Sequence, residues 1–219
     1  EDLEAETSSN YTFDLSFEST IAGSKLKTNI GLFSHQIKDR IILAEYETLK
    51  YTYQNIENFK TRGFDISLEY PFTSNLRLRS SGGITYLCNV FSESYETDPF
   101  FNVYEFQNTL EFYWPWSKTD LQISQKYTSK QQQFHLNDQG ELVEGYLNGY
   151  NMLHASMTRS FFNNNLSLSF GVKNLLNVSS IGIQGGNSID GGAHSNVGNS
   201  RLVHWGRSFF VGLNYTFSR

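Results

Sequence analysis

Apolar and polar residues alternate along most of the chain. The clearest segments are 13–18 (FDLSFE), 64–70 (FDISLEY), 166–172 (LSLSFGV) and 209–217 (FFVGLNYTF). Successive side chains of a β-strand point to opposite faces of its sheet, so each segment predicts a strand with one apolar face. The spacing of three and four residues that marks an amphipathic helix is hard to find. The pattern therefore predicts an all-β protein.

The alternation divides the chain into nine predicted strands. They cover residues 10–21, 25–42, 53–70, 75–89, 102–115, 119–133, 147–162, 165–178 and 202–217. Several of them are much longer than the roughly five or six residues that are common in soluble sheets.

Short and long connections alternate between these strands. Short turns lie at 22–24, 71–74, 115–118 and 163–164, and long polar segments lie at 43–52, 90–101, 134–146 and 179–201. A transmembrane barrel has short periplasmic turns at one end and longer extracellular loops at the other. This regularity favours an antiparallel transmembrane β-barrel, with a soluble β-sandwich that binds a ligand as the alternative.

Aromatic side chains recur at the strand ends that meet the short turns. They are Tyr70, Phe72, Trp114, Trp116, Phe161, Phe162, Tyr215 and Phe217. Amphipathic rings are favoured at the boundary between lipid headgroups and hydrocarbon. Aromatic residues also fill soluble cores, but their repetition at one end of several strands favours the membrane barrel.

Composition narrows the classes of function. The net charge is -5, with 17 basic and 22 acidic residues, which argues against nucleic acid as a partner. The single cysteine, Cys88, excludes an internal disulfide and a Cys-rich zinc site. The sequence has no run of about 18 apolar residues, so a transmembrane helix is not predicted.

An odd number of strands is a problem for a closed barrel. Bacterial barrels close with an even number of antiparallel strands, and unpaired strand edges are not tolerated in lipid. We therefore expect residues 1–219 to be the C-terminal part of a larger barrel. The chain starts at Glu1 without a signal peptide, which agrees with this expectation.

Four motifs resemble segments of one known family. Residues 3–11 (LEAETSSNY) are similar to an L-x-P-E-x-S-x-x-Y segment, and Asn55 precedes 63–65 (GFD) as an Asn precedes a Gly-x-Glu strand start. Residues 172–177 (VKNLLN) are similar to V-x-N-L-F-N, and 206–210 (GRSFF) to a Gly-Arg-x-Phe. In this order the motifs resemble the last barrel portion of TonB-dependent outer-membrane receptors. The matching residues are Glu6, Tyr11, Asn55, Gly63, Asp65, Asn174, Leu175, Asn177, Gly206 and Arg207.

The resemblance implies a fold and a function. The fold is a barrel of about 22 strands, of which this chain supplies the last nine, without the N-terminal plug and TonB box. The function is import of a scarce nutrient across the bacterial outer membrane: a siderophore-bound iron, haem, cobalamin or an oligosaccharide. The implied partners are outer-membrane lipid, TonB acting through the plug, a small nutrient ligand and a surface lipoprotein, with no resident cofactor and no enzymatic activity.

The loop 181–200 is rich in Gly, Asn and Ser and provides candidate ligand contacts at the extracellular mouth. Together with the residues just beyond it, the candidates are Asn187, Asp190, His194, His204 and Trp205. Imidazole and indole groups suit a metal-bearing, haem or aromatic ligand, although a solvated loop tip is the simpler interpretation. An outer-membrane hydrolase built on Asp190 and His194 is a second alternative, but no G-x-S-x-G elbow supports it, and we predict neither a catalytic nor a metal site.

Charged residues of both signs lie on the predicted polar strand faces. They are Asp14, Glu18, Lys27, Asp65, Glu69, Arg77, Arg79 and Glu111. A wet barrel interior that holds a polar plug has this character. Mutual compensation between neighbouring strands is a simpler explanation of the same charges.

Overall fold

The computed structural model describes residues 3–47, 50–88, 101–136, 139–184, 200–202 and 205–217. Its strands are β1 (Thr7–Ile21), β2 (Ser24–Glu47), β3 (Lys50–Pro71), β4 (Leu76–Cys88), β5 (Phe101–Trp114), β6 (Thr119–Thr128), β7 (Gln131–Leu136), β8 (Leu142–Leu147), β9 (Tyr150–Phe161), β10 (Leu166–Lys173), β11 (Ser180–Gln184), β12 (Ser200–Leu202) and β13 (Ser208–Tyr215). One 3₁₀ turn, Pro115–Ser117, joins β5 to β6. The described ranges contain no helix that could cross a bilayer. The all-β prediction is confirmed.

Nine of these strands follow one another across one antiparallel sheet. Their order is β1-β2-β3-β4-β5-β6-β9-β10-β13. They correspond one to one to the nine predicted strands. Within the described ranges β1 pairs with β2 and β13 pairs with β10, so the sheet is open between its first and last strands.

Four short strands were not predicted. β7 and β8 form a hairpin that begins in the predicted strand 119–133 and runs through the predicted loop 134–146. β11 and β12 pair beyond β10. The predicted strand 119–133 is interrupted because Ser129 leaves the β6 ladder. Its hydroxyl accepts a hydrogen bond from the Tyr104 backbone N–H at 2.9 Å, and its own N–H donates to the Tyr104 carbonyl at 2.9 Å.

Several predicted strand boundaries were also wrong. The predicted strand 165–178 ends at Lys173, because Asn174 and Asn177 have φ angles of 53° and 59°, which an extended strand cannot contain. The predicted strand 202–217 is reduced to β13, and Gly206 precedes it with a φ of 77°. Conversely, β2 and β3 extend into the predicted loop 43–52.

The register gives the sheet two chemically different faces. Glu18 pairs with Lys27, Lys27 with Glu69, and Glu69 with Arg79. All eight charged residues predicted to share a face do so, and we call it the polar face. The opposite, apolar face exposes large hydrophobic side chains, among them Phe13 (60%), Ile123 (50%), Leu168 (43%) and Leu213 (72%). Exposed apolar area on this scale indicates contact with something other than water.

Aromatic rings border the apolar face at two levels. At the short-turn end, edge-to-face pairs join Tyr70 to Phe72, Trp114 to Trp116 and Tyr215 to Phe217, with centroids 5.0, 5.1 and 4.7 Å apart. A second level carries Tyr11, Tyr86, Tyr104 and Tyr127. Ten residues separate Tyr104 from Trp114, a height of about 25 Å for a strand tilted by about 40°. This matches the apolar band of outer-membrane barrels, so the predicted aromatic placement agrees with the structure.

A chain of polar side chains crosses the apolar face between these two levels. The Ser80 hydroxyl donates to Asn108 Oδ1 at 2.7 Å, and Asn108 Nδ2 donates to Gln125 Oε1 at 2.9 Å. Gln125 Nε2 continues the chain to Asn151 Oδ1 at 2.8 Å. Polar groups in an apolar medium are costly unless they are hydrogen-bonded. The four residues, one on each of β4, β5, β6 and β9, therefore stabilise one another.

Candidate functional site

The polar face forms a groove of about 680 Å³, which we call the upper groove. The side chains that give it its chemistry are Arg40, Phe59, Asp65, Glu105, Lys126 and Phe134. Lys126 Nζ lies 3.3 Å from one Glu105 oxygen, and the Thr128 hydroxyl donates to the other at 3.0 Å. Two cations, two carboxylates and two rings suit a polar ligand that carries a ring or a charge.

Arg40 is held against an aromatic ring at the wall of this groove. Its guanidinium carbon lies 3.7 Å from the centroid of Phe59, a residue that is only 4% exposed. An arginine stays protonated in proteins. The groove therefore contains a half-buried cation that lies over an aromatic ring.

The alternation of strand β2 reverses immediately before Arg40, so that odd-numbered and even-numbered residues exchange the two faces of the sheet. We call this reversal the face exchange. Up to this point the exposed face carries even-numbered residues such as Leu32 (49% exposed). Beyond it, Ile41 and Leu43 are exposed at 37% and 51%, whereas Ala44 is fully buried. The change occurs at Asp39, which has a φ of 55°. A left-handed residue within a strand reverses the alternation that follows it.

The first family-like motif holds this reversal in place. Asn55 forms two hydrogen bonds with the backbone of Glu4, one from the Glu4 N–H at 2.9 Å and one to the Glu4 carbonyl at 3.0 Å. Asn55 Nδ2 also donates to the carbonyl of Asp39 at 2.6 Å. The Glu6 carboxylate accepts the N–H of Ile41 at 2.5 Å. We call this set of contacts the Asp39 clamp.

The motif residues Gly63 and Asp65 have different surroundings. A Cβ on Gly63 would collide with the Ile84 carbonyl and the ring of Phe33. Gly63 therefore allows Phe33 to cross the polar face and stack on His35, with centroids 5.2 Å apart. Asp65 lies in the upper groove, where its strand neighbours are the glycines at positions 31 and 83.

We expect Gly63→Ala to lower the free energy of unfolding by about 1–3 kcal/mol, because the added methyl overpacks against backbone and a ring. Gly212→Ala is the matched control, since its Cβ would meet only Ser169 Cβ at an ordinary 3.6 Å. That control should change stability by less than about 1 kcal/mol. Urea unfolding of both purified variants measures the difference, and equal effects would contradict the close approach.

Four charged residues cross-link β3, β4 and β5 nearer the short turns. Arg79 Nη1 lies 2.5 Å from Glu111, and Arg79 Nε lies 3.5 Å from Glu69. Arg77 lies 3.6 Å from Glu69 and 3.9 Å from Glu111. The side chains are between 30% and 47% exposed, so the pairs contribute little stability. The predicted compensation between neighbouring strands is present.

The remaining motif residues tie the end of β10 to the start of β13. Asn174 is fully buried, donates to the Val178 carbonyl at 2.7 Å and accepts the Val178 N–H at 3.0 Å. Arg207 donates twice to the Leu175 carbonyl, at 3.0 and 2.6 Å, and its N–H donates to Asn177 Oδ1 at 2.9 Å. Gly206 must be glycine here, because its φ is positive and its Cβ would lie 3.0 Å from Asn177 Oδ1.

Most of the predicted loop contacts fall outside the described residues. These are Asn187, Asp190, His194 and His204. Trp205 is described and is 98% exposed. The described residues contain no group of three or more His, Cys, Asp or Glu side chains that could hold a metal. The extracellular loop site stays a prediction.

Comparison with known proteins identifies the family. The family described as TonB dependent receptor-like, beta-barrel matches residues 1–175. The chain belongs to this family. No curated protein matches the sequence.

Solved TonB-dependent receptor structures share this fold. The FrpB iron transporter from Neisseria meningitidis has a TM-score of 0.64 and 15% identity, covering 99% of this chain and 31% of that one. The pyoverdine receptor FpvA from Pseudomonas aeruginosa has a TM-score of 0.61 and 13% identity, covering 98% and 30%. A mutant of the ferric enterobactin receptor PfeA from the same species has a TM-score of 0.60 and 21% identity, covering 98% and 32%. The chain spans about a third of the length of these structures.

The sequence did not identify Arg40 and Phe59 as site residues. The signal was present in 37–44 (IKDRIILA), where strict alternation stops and four apolar residues follow in succession. A loss of alternation inside a long strand indicates a local irregularity of its backbone. Which side chains it turns toward the groove requires the backbone geometry at Asp39.

Proposed function

We propose that this chain forms part of an outer-membrane receptor that imports an iron chelate, with energy delivered through TonB. The observation that carries the proposal is the match to the TonB-dependent receptor barrel over residues 1–175. The two-faced sheet supports it, because an apolar face bordered by two aromatic levels suits a bilayer and a charged face suits a wet lumen. The bacterial outer membrane is the location that follows.

The nine strands belong, in this proposal, to a larger barrel of about 22 strands that encloses a plug. The open edges of β1 and β13 support this arrangement, since unpaired backbone groups are very costly in lipid. The coverage of 31% of the FrpB chain also supports it. TonB would act through the plug, and a surface lipoprotein partner stays a prediction.

Iron chelates are favoured among the nutrients because of the structural relatives and the upper groove. The structures named above are an iron transporter, a pyoverdine receptor and a ferric enterobactin receptor. The groove places Arg40 on the ring of Phe59. A cation beside an aromatic surface can bind a ligand that is both anionic and aromatic, which is the chemistry of ferric catecholates.

The test is uptake of radiolabelled nutrients by source cells that lack the gene for this chain. Ferric catecholate, ferric hydroxamate, haem and cobalamin are supplied separately, and the same assays are run in a strain without TonB. We expect loss of uptake of one ferric chelate in the strain that lacks this gene, with recovery when the intact gene is restored. Uptake of the same chelate should also be lost in the strain without TonB. Loss of haem or cobalamin uptake instead would overturn the ligand class, and uptake that survives without TonB would overturn the energy source.

A hydrolase at the extracellular loop is a different class of function, and the family is one of receptors. Substituting Asp190 or His194 separates the two classes. The transport proposal expects no hydrolytic activity that depends on these residues. Loss of a measured hydrolysis in either variant would favour the hydrolase.

A further inference from the structure

We infer that Glu6 and Asn55 are positioning residues that set which face of β2 meets the ligand, and that they thereby place Arg40 rather than Asp39 in the upper groove. The inference rests on the proposed function for its ligand, but the face exchange can be measured without any ligand. Neither residue lines the upper groove. Both act through the backbone around Asp39.

The face exchange affects both strands of the pair. On β2, Ile37 pairs with Phe59 before the irregularity, and Arg40 pairs with Ile56 after it. Phe59 and Ile56 are both buried, at 4% and 1% exposure, although they stand three residues apart on β3. An undisturbed strand would bury residues two or four apart. The exchange is therefore shared by the two strands.

The Asp39 clamp supplies hydrogen bonds that the ladder with β1 does not provide here. β1 pairs with β2 only as far as Lys38, so the Ile41 N–H lies beyond the last β1 partner. The Glu6 carboxylate accepts that N–H at 2.5 Å. Asn55 holds the carbonyl of Asp39 and the backbone of Glu4 at once. These bonds offset the cost of a left-handed aspartate, roughly 1–2 kcal/mol.

The exchange decides the sign of the charge on the groove wall. In strict alternation Asp39 would follow Ile37 onto the polar face, and Arg40 would point away with Lys38. The clamp reverses this order and brings the Arg40 guanidinium over Phe59. With the clamp, the wall presents a cation; without it, the same position would present a carboxylate. The clamp therefore favours an anionic ligand.

Cysteine labelling on intact cells tests the face exchange. In a Cys88→Ala background, Leu43→Cys and Ala44→Cys are labelled with a maleimide that does not cross membranes. Leu43 is 51% exposed and Ala44 is fully buried, so Leu43→Cys should react many times faster. Adding Asn55→Ala should exchange the order of the two rates. Asn58→Ala, on the same strand and outside the clamp, is the matched control and should leave the order unchanged.

The remaining labelling outcomes overturn the inference. If Asn55→Ala leaves Leu43→Cys faster, the clamp does not set the face. If both cysteines become fast, Asn55 only keeps the strand ends folded. Glu6→Gln provides a second variant, since its amide oxygen can still accept the Ile41 N–H and should preserve the order.

Binding of ferric catecholate to the intact receptor tests the consequence for the ligand. Arg40→Gln should weaken binding about tenfold, the loss of one charge-assisted contact. Asn55→Ala should weaken binding by at least as much, because it also brings the Asp39 carboxylate into the groove. The double variant should be no weaker than Asn55→Ala alone, because that change already takes the Arg40 guanidinium out of the groove. If the losses of binding in the two single variants add up in the double variant, the positioning role is wrong. If the unaltered receptor binds no ferric catecholate, the ligand class fails, and the labelling order still decides the face exchange.

Discussion

Ile123→Arg should lower the free energy of unfolding by about 2–4 kcal/mol, whereas Gln122→Arg should change it by less than about 1 kcal/mol. Ile123 is 50% exposed on the apolar face and pairs with Leu110. It lies four residues from the start of β6, about 10 Å above the short-turn aromatic level. An arginine there must place its charge in hydrocarbon, which is costly near the bilayer centre.

Gln122 is the matched control because it is the adjacent residue on the same strand. It lies on the polar face opposite Glu111, so an arginine at this position gains a possible carboxylate partner and stays in the wet lumen. The measurement is urea unfolding of the receptor in lipid vesicles, followed by the heat-dependent shift of the folded band on a gel. A larger loss at Gln122 than at Ile123 would reverse the assignment of the two faces.

The alternation of apolar and polar residues predicted most of the fold. Each residue type matches the environment, apolar or aqueous, of the sheet face on which it lies. Segment 64–70 has the same phase in the sequence and in β3, and all eight charged positions predicted to share a face do share it. Alternation does not report backbone conformation, however. It could not locate the left-handed Asp39 or the left-handed Asn174, and these residues determine where β2 exchanges faces and where β10 ends.

The candidate functional residues also divide into those that the sequence identified and those that it did not. The motifs identified Glu6, Asn55, Asn174 and Arg207, and the structure shows hydrogen bonds by which they brace the backbone. The groove residue Arg40 has no motif, because its position depends on contacts between segments that are distant in sequence. Sequence motifs therefore identify the residues that brace the backbone around a site more readily than the residues that line the site.

Asn174→Ala should lower the free energy of unfolding by about 3 kcal/mol. The side chain is fully buried and satisfies both the N–H and the carbonyl of Val178. Each backbone group that loses its partner costs about 1 kcal/mol or more. Alanine is also less favourable than asparagine in the left-handed conformation, by about 1 kcal/mol. The loss should release the 174–178 turn and the Arg207 contacts that depend on it.

Two controls separate these contributions. Asn174→Gly keeps the left-handed backbone and removes only the hydrogen bonds, so it should cost about 2 kcal/mol. Asn164→Ala removes an exposed asparagine with a φ of 71°, so it should cost only about 1 kcal/mol. Urea unfolding and the heat-shifted band report all three variants. If Asn174→Ala is no worse than Asn164→Ala, the buried side chain does not close the turn, and the bracing of β13 by β10 must come from Asn177 and Arg207 alone.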